Sequence, residues 1–325
     1  MKETKKRIRI ENQKKIIFTA GPASLIEKSI TNIKPCFGRG DVEYQKTEKK
    51  VLNKIKNIAG GFSQIVRFQG SGSLAIEIMM ANFLYGKILI IDTGYYAQRL
   101  RTIAFTHKSL FKYVKKVESV NWKKLDDVEN KFDWIVACPT ETSCGLKIPI
   151  KKLKYFAKKN KSKLMLDATG SIGLERDHEL ADVISFSSCK GLFGLTGAGF
   201  ICFNENNKNF IPSFYLNIMN HIEKKMTGPY QIIYSLEKVL ENHSHHRYSV
   251  TINKKKFLNK MKNYLTLPKE NQPLLCTHVK KIIKPKNKKV ILYTPRNNIG
   301  GSVVCHIGEA HLGKKSKGMI LDNIY

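Results

Sequence analysis

The chain has 325 residues, with 57 Lys and Arg against 26 Asp and Glu, a formal net charge of +31, and it is 42% hydrophobic and 26% charged. That composition is neither disordered nor membrane-like, and no apolar run approaches the roughly 18 to 20 residues that span a bilayer. Seven scattered cysteines without a CxxC pair argue for reduced thiols in a cytoplasmic protein and against a disulfide framework or a zinc site.

In chain order, residues 1–15 (MKETKKRIRIENQKK) read as a polar arm with no apolar segment behind it, which argues against a secretory signal. From residue 16, short apolar runs alternate with longer amphipathic stretches. The runs are IIF at 16–18, KILIID at 87–92, DWIVAC at 133–138, KLMLD at 163–167, VISFS at 183–187 and GFICF at 199–203. Helical stretches fall at 47–58, 73–84, 97–105, 150–160 and 230–242. This alternation predicts an α/β domain with a mainly parallel, buried sheet over residues 16–250. Residues 251–325 carry 16 basic and 3 acidic residues and read as a second, smaller unit.

The charge identifies no partner. Only nine of the basic residues are arginines, leaving 48 lysines, and arginine is the better residue for forked phosphate and base contacts. The lysines are densest at 151–163 and 280–289. A solvated lysine-rich surface is the reading, and nucleic acid is not expected; the other reading is attraction of anionic substrates or polyanions.

Three strings fall where an α/β sheet places a ligand, at the carboxyl ends of strands. QGSGSLAIE at 69–77 puts Ser71, Gly72 and Ser73 before a helix, where backbone N–H groups and hydroxyls form a phosphate cup. LMLDATGS at 164–171 ends an apolar strand in Asp167, suited to capping a helix, binding a metal or ribose, or holding a cofactor's positive charge. ISFSSCKGLFGLTGAGF at 184–200 sets Lys190 among small residues beside the sheet. Partial desolvation there lowers a lysine's pKa and suits it to Schiff-base chemistry.

A phosphate cup, an acid about 95 residues later and a lysine 23 residues beyond form an ordered pattern that resembles the fold-type-I pyridoxal-phosphate enzymes, and among them the class V aminotransferases. FTAGPASL at 18–25, GYYAQR at 94–99, PTETSCG at 139–145 and MTGPYQIIYSL at 226–236 match in register. The similarity resumes near 300–311. The resemblance implies pyridoxal 5′-phosphate as cofactor and Lys190 as its Schiff-base lysine. It implies Asp167 on the pyridine nitrogen, Ser71, Gly72 and Ser73 on the phosphate, Tyr96 on the ring and Thr142 at its phenolic oxygen. Thr227 would be supplied by the neighbouring subunit of a homodimer with shared sites. The implied activity moves an amino group from a small amino donor to a 2-oxo acid or aldehyde. Alternatives are a lyase or desulfurase of the same fold, or a catalytically weakened relative with a polyanion-binding surface. A desulfurase is disfavoured because Cys189 stands where its histidine is expected.

The strings most resemble 2-aminoethylphosphonate–pyruvate and alanine/serine–glyoxylate transaminases. The phosphonate-type enzymes carry a substrate-gripping arginine where this chain has Val303. Arg39 and Arg296 are the candidate replacements, with Arg39 preferred. Cys138 and Cys144 read as structural thiols. The HSHH string at 243–246 reads as a solvated helix end, not a metal site.

Overall fold

The structure is a computed structural model that describes residues 2–21, 26–204, 209, 211–310 and 319–325. Residues 22–25 of the FTAGPASL string and residue 311 of the C-terminal similarity lie outside these. The chain opens with α1 (Lys2–Lys14), β1 (Ile16–Phe18), α2 (Glu27–Thr31) and α3 (Val42–Ile58), then β2 (Gln64–Gln69), α4 (Gly72–Phe83), β3 (Gly86–Asp92), α5 (Tyr95–Leu110) and β4 (Val114–Asn121). It continues through β5 (Trp134–Ala137), β6 (Thr140–Glu141), β7 (Leu146–Lys147), α6 (Ile150–Lys159), β8 (Lys163–Asp167), β9 (Val183–Ser187) and β10 (Ala198–Phe203). After α7 (Ile218–Glu223), α8 (Tyr230–Glu241) and α9 (His243–Met261) come β11 (Cys276–Val279), β12 (Val290–Leu292) and β13 (Ser302–Cys305).

Seven strands form the central sheet in the order β2-β10-β9-β8-β5-β3-β4. The pairs among β9, β8, β5, β3 and β4 are parallel, and β10 runs antiparallel to both its neighbours. The expected mainly parallel sheet is therefore present. Its central strands bury both faces by simple alternation. Leu89, Ile91, Ile135, Leu164 and Leu166 pack with α3, α6 and α8. Ile88, Ile90, Trp134, Val136 and Met165 pack with α4 and α5. Parallel strands direct their carboxyl ends, and the loops that follow, to one side of the sheet, where Asp167 and the Lys190 segment emerge.

Four local features differ from the sequence expectations. Both sheet edges, β2 and β4, went unpredicted. β4 reads VKKVESVN and buries only Val114 and Val117, because an edge strand has no need of a continuous apolar run. β1 lies outside the central sheet and pairs in parallel with β12. The polar arm is helical: its Lys, Arg, Glu and Gln are good helix formers, Ile8 is buried, and Lys5 and Arg9 reach Glu27. The HSHH string is not a solvated helix end. It opens α9, with His243 buried. No described helix is long and apolar enough to cross a membrane.

Candidate active site

Asp167 closes β8 at 2% exposure. Its Oδ1 accepts the Thr169 N–H at 3.0 Å, so the turn after the strand fixes the carboxylate by a local side-chain-to-backbone bond. Next to it in the sheet, β9 ends at Ser187, and Lys190 follows three residues on, half-buried. The Lys190 Nζ stands 5.4 Å from the centre of the Tyr96 ring.

The lysine segment is tightly held. Gly191 packs so closely that an added Cβ would meet the Ile172 carbonyl at 1.9 Å, which only glycine permits. His243 Nε2 donates to the Gly191 carbonyl at 2.8 Å. Phe193 adopts φ +58, with its ring against His243 and His246. A left-handed phenylalanine needs such packing to persist. The HSHH string thus buttresses the lysine segment, a role that demands tertiary contacts and leaves no local signal. From the other side, Gly21 (φ +125) abuts the Lys190 stem, since its missing Cβ would lie 3.1 Å from Lys190 Cγ.

The first turn of α4 faces the same place. Ser71 is its N-cap, accepting the Leu74 N–H at 3.3 Å. A Cβ on Gly72 would lie 3.2 Å from Thr169 Oγ1 and 3.3 Å from Ser187 Cβ, so the helix start presses against the ends of β8 and β9. No acidic residue occupies this turn, and its free N–H groups carry the partial positive charge of a helix end.

Tyr96 is aimed by a residue 45 positions away. Gly94, the N-cap of α5, has no side chain to cap with, and the Glu141 carboxylate takes that part. Its Oε2 accepts the Tyr96 and Ala97 N–H groups at 3.0 and 3.2 Å, while Oε1 accepts from the Ser143 N–H and hydroxyl. Burial raises the Glu141 pKa, with these four hydrogen bonds opposing. Thr142 follows it, fully buried. The Thr169 hydroxyl is buried and makes no hydrogen bond within the chain, and Thr142 lies beside the Tyr293 hydroxyl.

Arg99, the arginine of the GYYAQR string, enters the same cluster. Its guanidinium donates to Ser73 Oγ at 2.8 Å, lies 3.7 Å from Asp167 Oδ2 and stands 4.8 Å from the Tyr96 ring centre. The thiols nearby are inert. Burial pushes Cys138 well up and Cys144 up to about 12, and both donate to backbone carbonyls. Cys189 Sγ sits 3.6 Å from Ser187 Oγ.

The structure therefore brings Ser71, Gly72, Ser73, Tyr96, Thr142, Asp167 and Lys190 together. Of the two candidate arginines, Arg296 joins them at the rim: its guanidinium is 5.9 Å from the Tyr95 ring, which meets Tyr96 edge-on at 5.3 Å. Arg39 is exposed and donates to the Lys224 carbonyl at 3.3 Å. It lies beside the segment that carries exposed Thr227, at a cavity of about 540 Å³ lined by Tyr44, Glu48, Lys49, Arg67 and Lys225. That cavity sits between α3, β2 and α7, apart from the lysine. Val303 is buried in a cluster with Ala20, Leu174, Phe193, Leu275, Cys276 and Cys305. Among the described residues no cluster of His, Cys, Asp and Glu has the form of a metal site.

Comparison with known proteins agrees with this geometry. The family model "Aminotransferase class-V" matches residues 39–221. The 2-aminoethylphosphonate–pyruvate transaminase of Phocaeicola vulgatus is 24% identical over 201 residues, covering 57% of this chain and 55% of that protein. Its counterpart from Rhizobium meliloti is 27% identical over 180 residues, covering 51% and 46%. The chain thus matches about half the length of these curated relatives. Among solved structures, the alanine–glyoxylate aminotransferase of Nostoc sp. superposes with a TM-score of 0.76 at 16% identity, over 94% of this chain and 95% of that one. The pyridoxal-phosphate-bound phosphoserine aminotransferase of Trichomonas vaginalis does so at 0.72 and 15%, over 95% and 100%. The fold is that of the fold-type-I aminotransferases, and the chain belongs to the class V aminotransferase family.

Proposed function

We propose that the protein is a pyridoxal-phosphate-dependent aminotransferase that moves an amino group between a small amino donor and a 2-oxo acid or aldehyde. The observation that carries this reading is the meeting of Lys190, Asp167 and the first turn of α4 at one end of the sheet. The residues fit the cofactor. The Thr169 hydroxyl, next to Asp167 and the start of α4, is buried without a partner in the chain, as a buried polar group is where a ligand completes it. The glycine at position 72 lets the first turn of α4 come up against Thr169 and Ser187 at the strand ends.

Bound there, pyridoxal phosphate supplies a ring that accepts the electron pair left when the donor's Cα–H bond breaks. The chain's own groups do the rest. Ser71, Gly72 and Ser73 present N–H groups and hydroxyls to the phosphate at the positive end of α4. Asp167 accepts from the ring nitrogen and balances its charge. Tyr96 would lie on the ring face and Thr142 at its phenolic oxygen. Lys190 would hold the cofactor through its amine and serve as the group that carries the proton to and from the substrate carbon.

Arg296, beside Tyr95, is positioned to grip the substrate acid in place of the arginine replaced by Val303. Arg39 and Thr227 belong to a different surface, suited to a second copy of the chain. Phe37, Val42 and Phe214 are 91%, 63% and 62% exposed in the same region, and an apolar patch of that kind marks an interface. A homodimer sediments at twice the 37.1 kDa chain mass; a monomer at micromolar concentration contradicts this part.

The activity is tested by titrating the cofactor-loaded protein with aminoethylphosphonate, alanine, serine and glutamate. At least one donor bleaches the cofactor absorbance, and a 2-oxo acid restores it. No response to any donor overturns the aminotransferase reading.

A further inference from the structure

Arg99 follows Tyr96 by three residues and so shares its face of α5. Its contacts join three elements that the sequence separates: Ser73 in the first turn of α4, Asp167 at the end of β8, and the Tyr96 ring at the start of α5. Its Nε is buried without a partner, and its side chain is 31% exposed. Asp167 has two neighbours of this kind, the Thr169 N–H on Oδ1 and Arg99 beside Oδ2. Together they set the plane of the carboxylate. A lysine offers one point charge, whereas a guanidinium offers separate donors in a rigid plane. One arginine can therefore hold a hydroxyl with one nitrogen and face a carboxylate with the other.

We propose that Arg99 is a positioning residue that sets Asp167 and Ser73 in their cofactor-receiving places, coupling the ring end of the site to the phosphate end. The proposal rests on the cofactor reading above. Without Arg99, the Ser73 hydroxyl rotates freely and the Asp167 carboxylate keeps only its Thr169 contact. The cofactor must then order both groups on binding, and affinity falls.

The test measures the dissociation constant of pyridoxal phosphate for the full chain by absorbance titration, for the wild type, R99Q and R99K, and for R99Q in a D167N background. R99Q weakens binding by about 10- to 100-fold, the range seen when a group that orients a contacting ligand is removed. R99K recovers part of the loss. In the D167N background the R99Q change is smaller than in the wild type, because one of the two groups through which Arg99 acts is already altered. Thermal unfolding of each cofactor-free variant guards against simple misfolding, and R99K serves if R99Q fails to fold. An affinity within twofold of wild type in R99Q, a tighter one, or an undiminished effect in the D167N background overturns the proposal. A wild-type protein that binds no pyridoxal phosphate overturns the cofactor reading itself, so the two failures are distinct.

Discussion

Val303 sits at 2% exposure among Leu275, Cys276 and Cys305, and this surrounding decides what an arginine there would do. V303R would place a guanidinium among apolar and thiol groups, where a charge without a partner is severely penalised. It should cost on the order of 3 kcal/mol or more of unfolding free energy and add no substrate affinity. Denaturant unfolding of V303R reads the cost directly, and a stable variant that binds 2-oxo acids more tightly contradicts it. The candidates Ser71, Gly72, Ser73, Asp167 and Lys190 could be picked out because each stands in a short string with its own local logic. Arg99 could not, since its contacts are with residues 26 positions before it and 68 after. The choice between Arg39 and Arg296 was equally hidden: nothing local tells that Arg296 comes to rest beside Tyr95.

Glu141 shows the same limit for elements. The start of α5 lacks a capping side chain of its own, and a carboxylate from the β6 turn accepts two of its N–H groups. E141A leaves those buried donors unpaired, at about 1–3 kcal/mol each, and releases the turn that aims Tyr96. A loss of about 2 kcal/mol or more in cofactor-free unfolding is the expected outcome, and an unchanged midpoint contradicts it. Central strands were readable because burial on both faces demands continuous apolar runs. The edges β2 and β4 were not, because Arg67 in one and Lys115, Lys116 and Glu118 in the other break the run. A sequence boundary drawn from composition at 251 falls inside α9, whose first residue supports the lysine segment. Helix α4, by contrast, was legible at both ends, since its Gly/Ser start and its apolar body are local properties.

Across the whole molecule, burial lowers His107, His178 and His246 to about 4, and takes His306 well below its ordinary value. A histidine held neutral in the fold and ordinary when unfolded takes up a proton on unfolding between about pH 6.5 and 4. Its contribution is complete above 6.5 and lost as the pH falls toward 4. For His178, at 1% exposure, the shift from 6.5 to about 4 corresponds to about 3 kcal/mol. Unfolding midpoints should therefore fall through this window, and in high salt as well, where screening removes the repulsion within a +31 chain. A midpoint flat from pH 6.5 to 4 contradicts the buried neutral histidines. The charge itself contributes little to the proposed site, whose candidates are Ser, Gly, Thr, Asp, Tyr, Arg and one lysine of 48. That selectivity is the central claim, and borohydride reduction of the pyridoxal-phosphate-loaded protein followed by peptide mapping tests it. One stoichiometric pyridoxyl group on Lys190, absent in K190A, is the expected result. Label spread over the surface lysines, or undiminished in K190A, contradicts it.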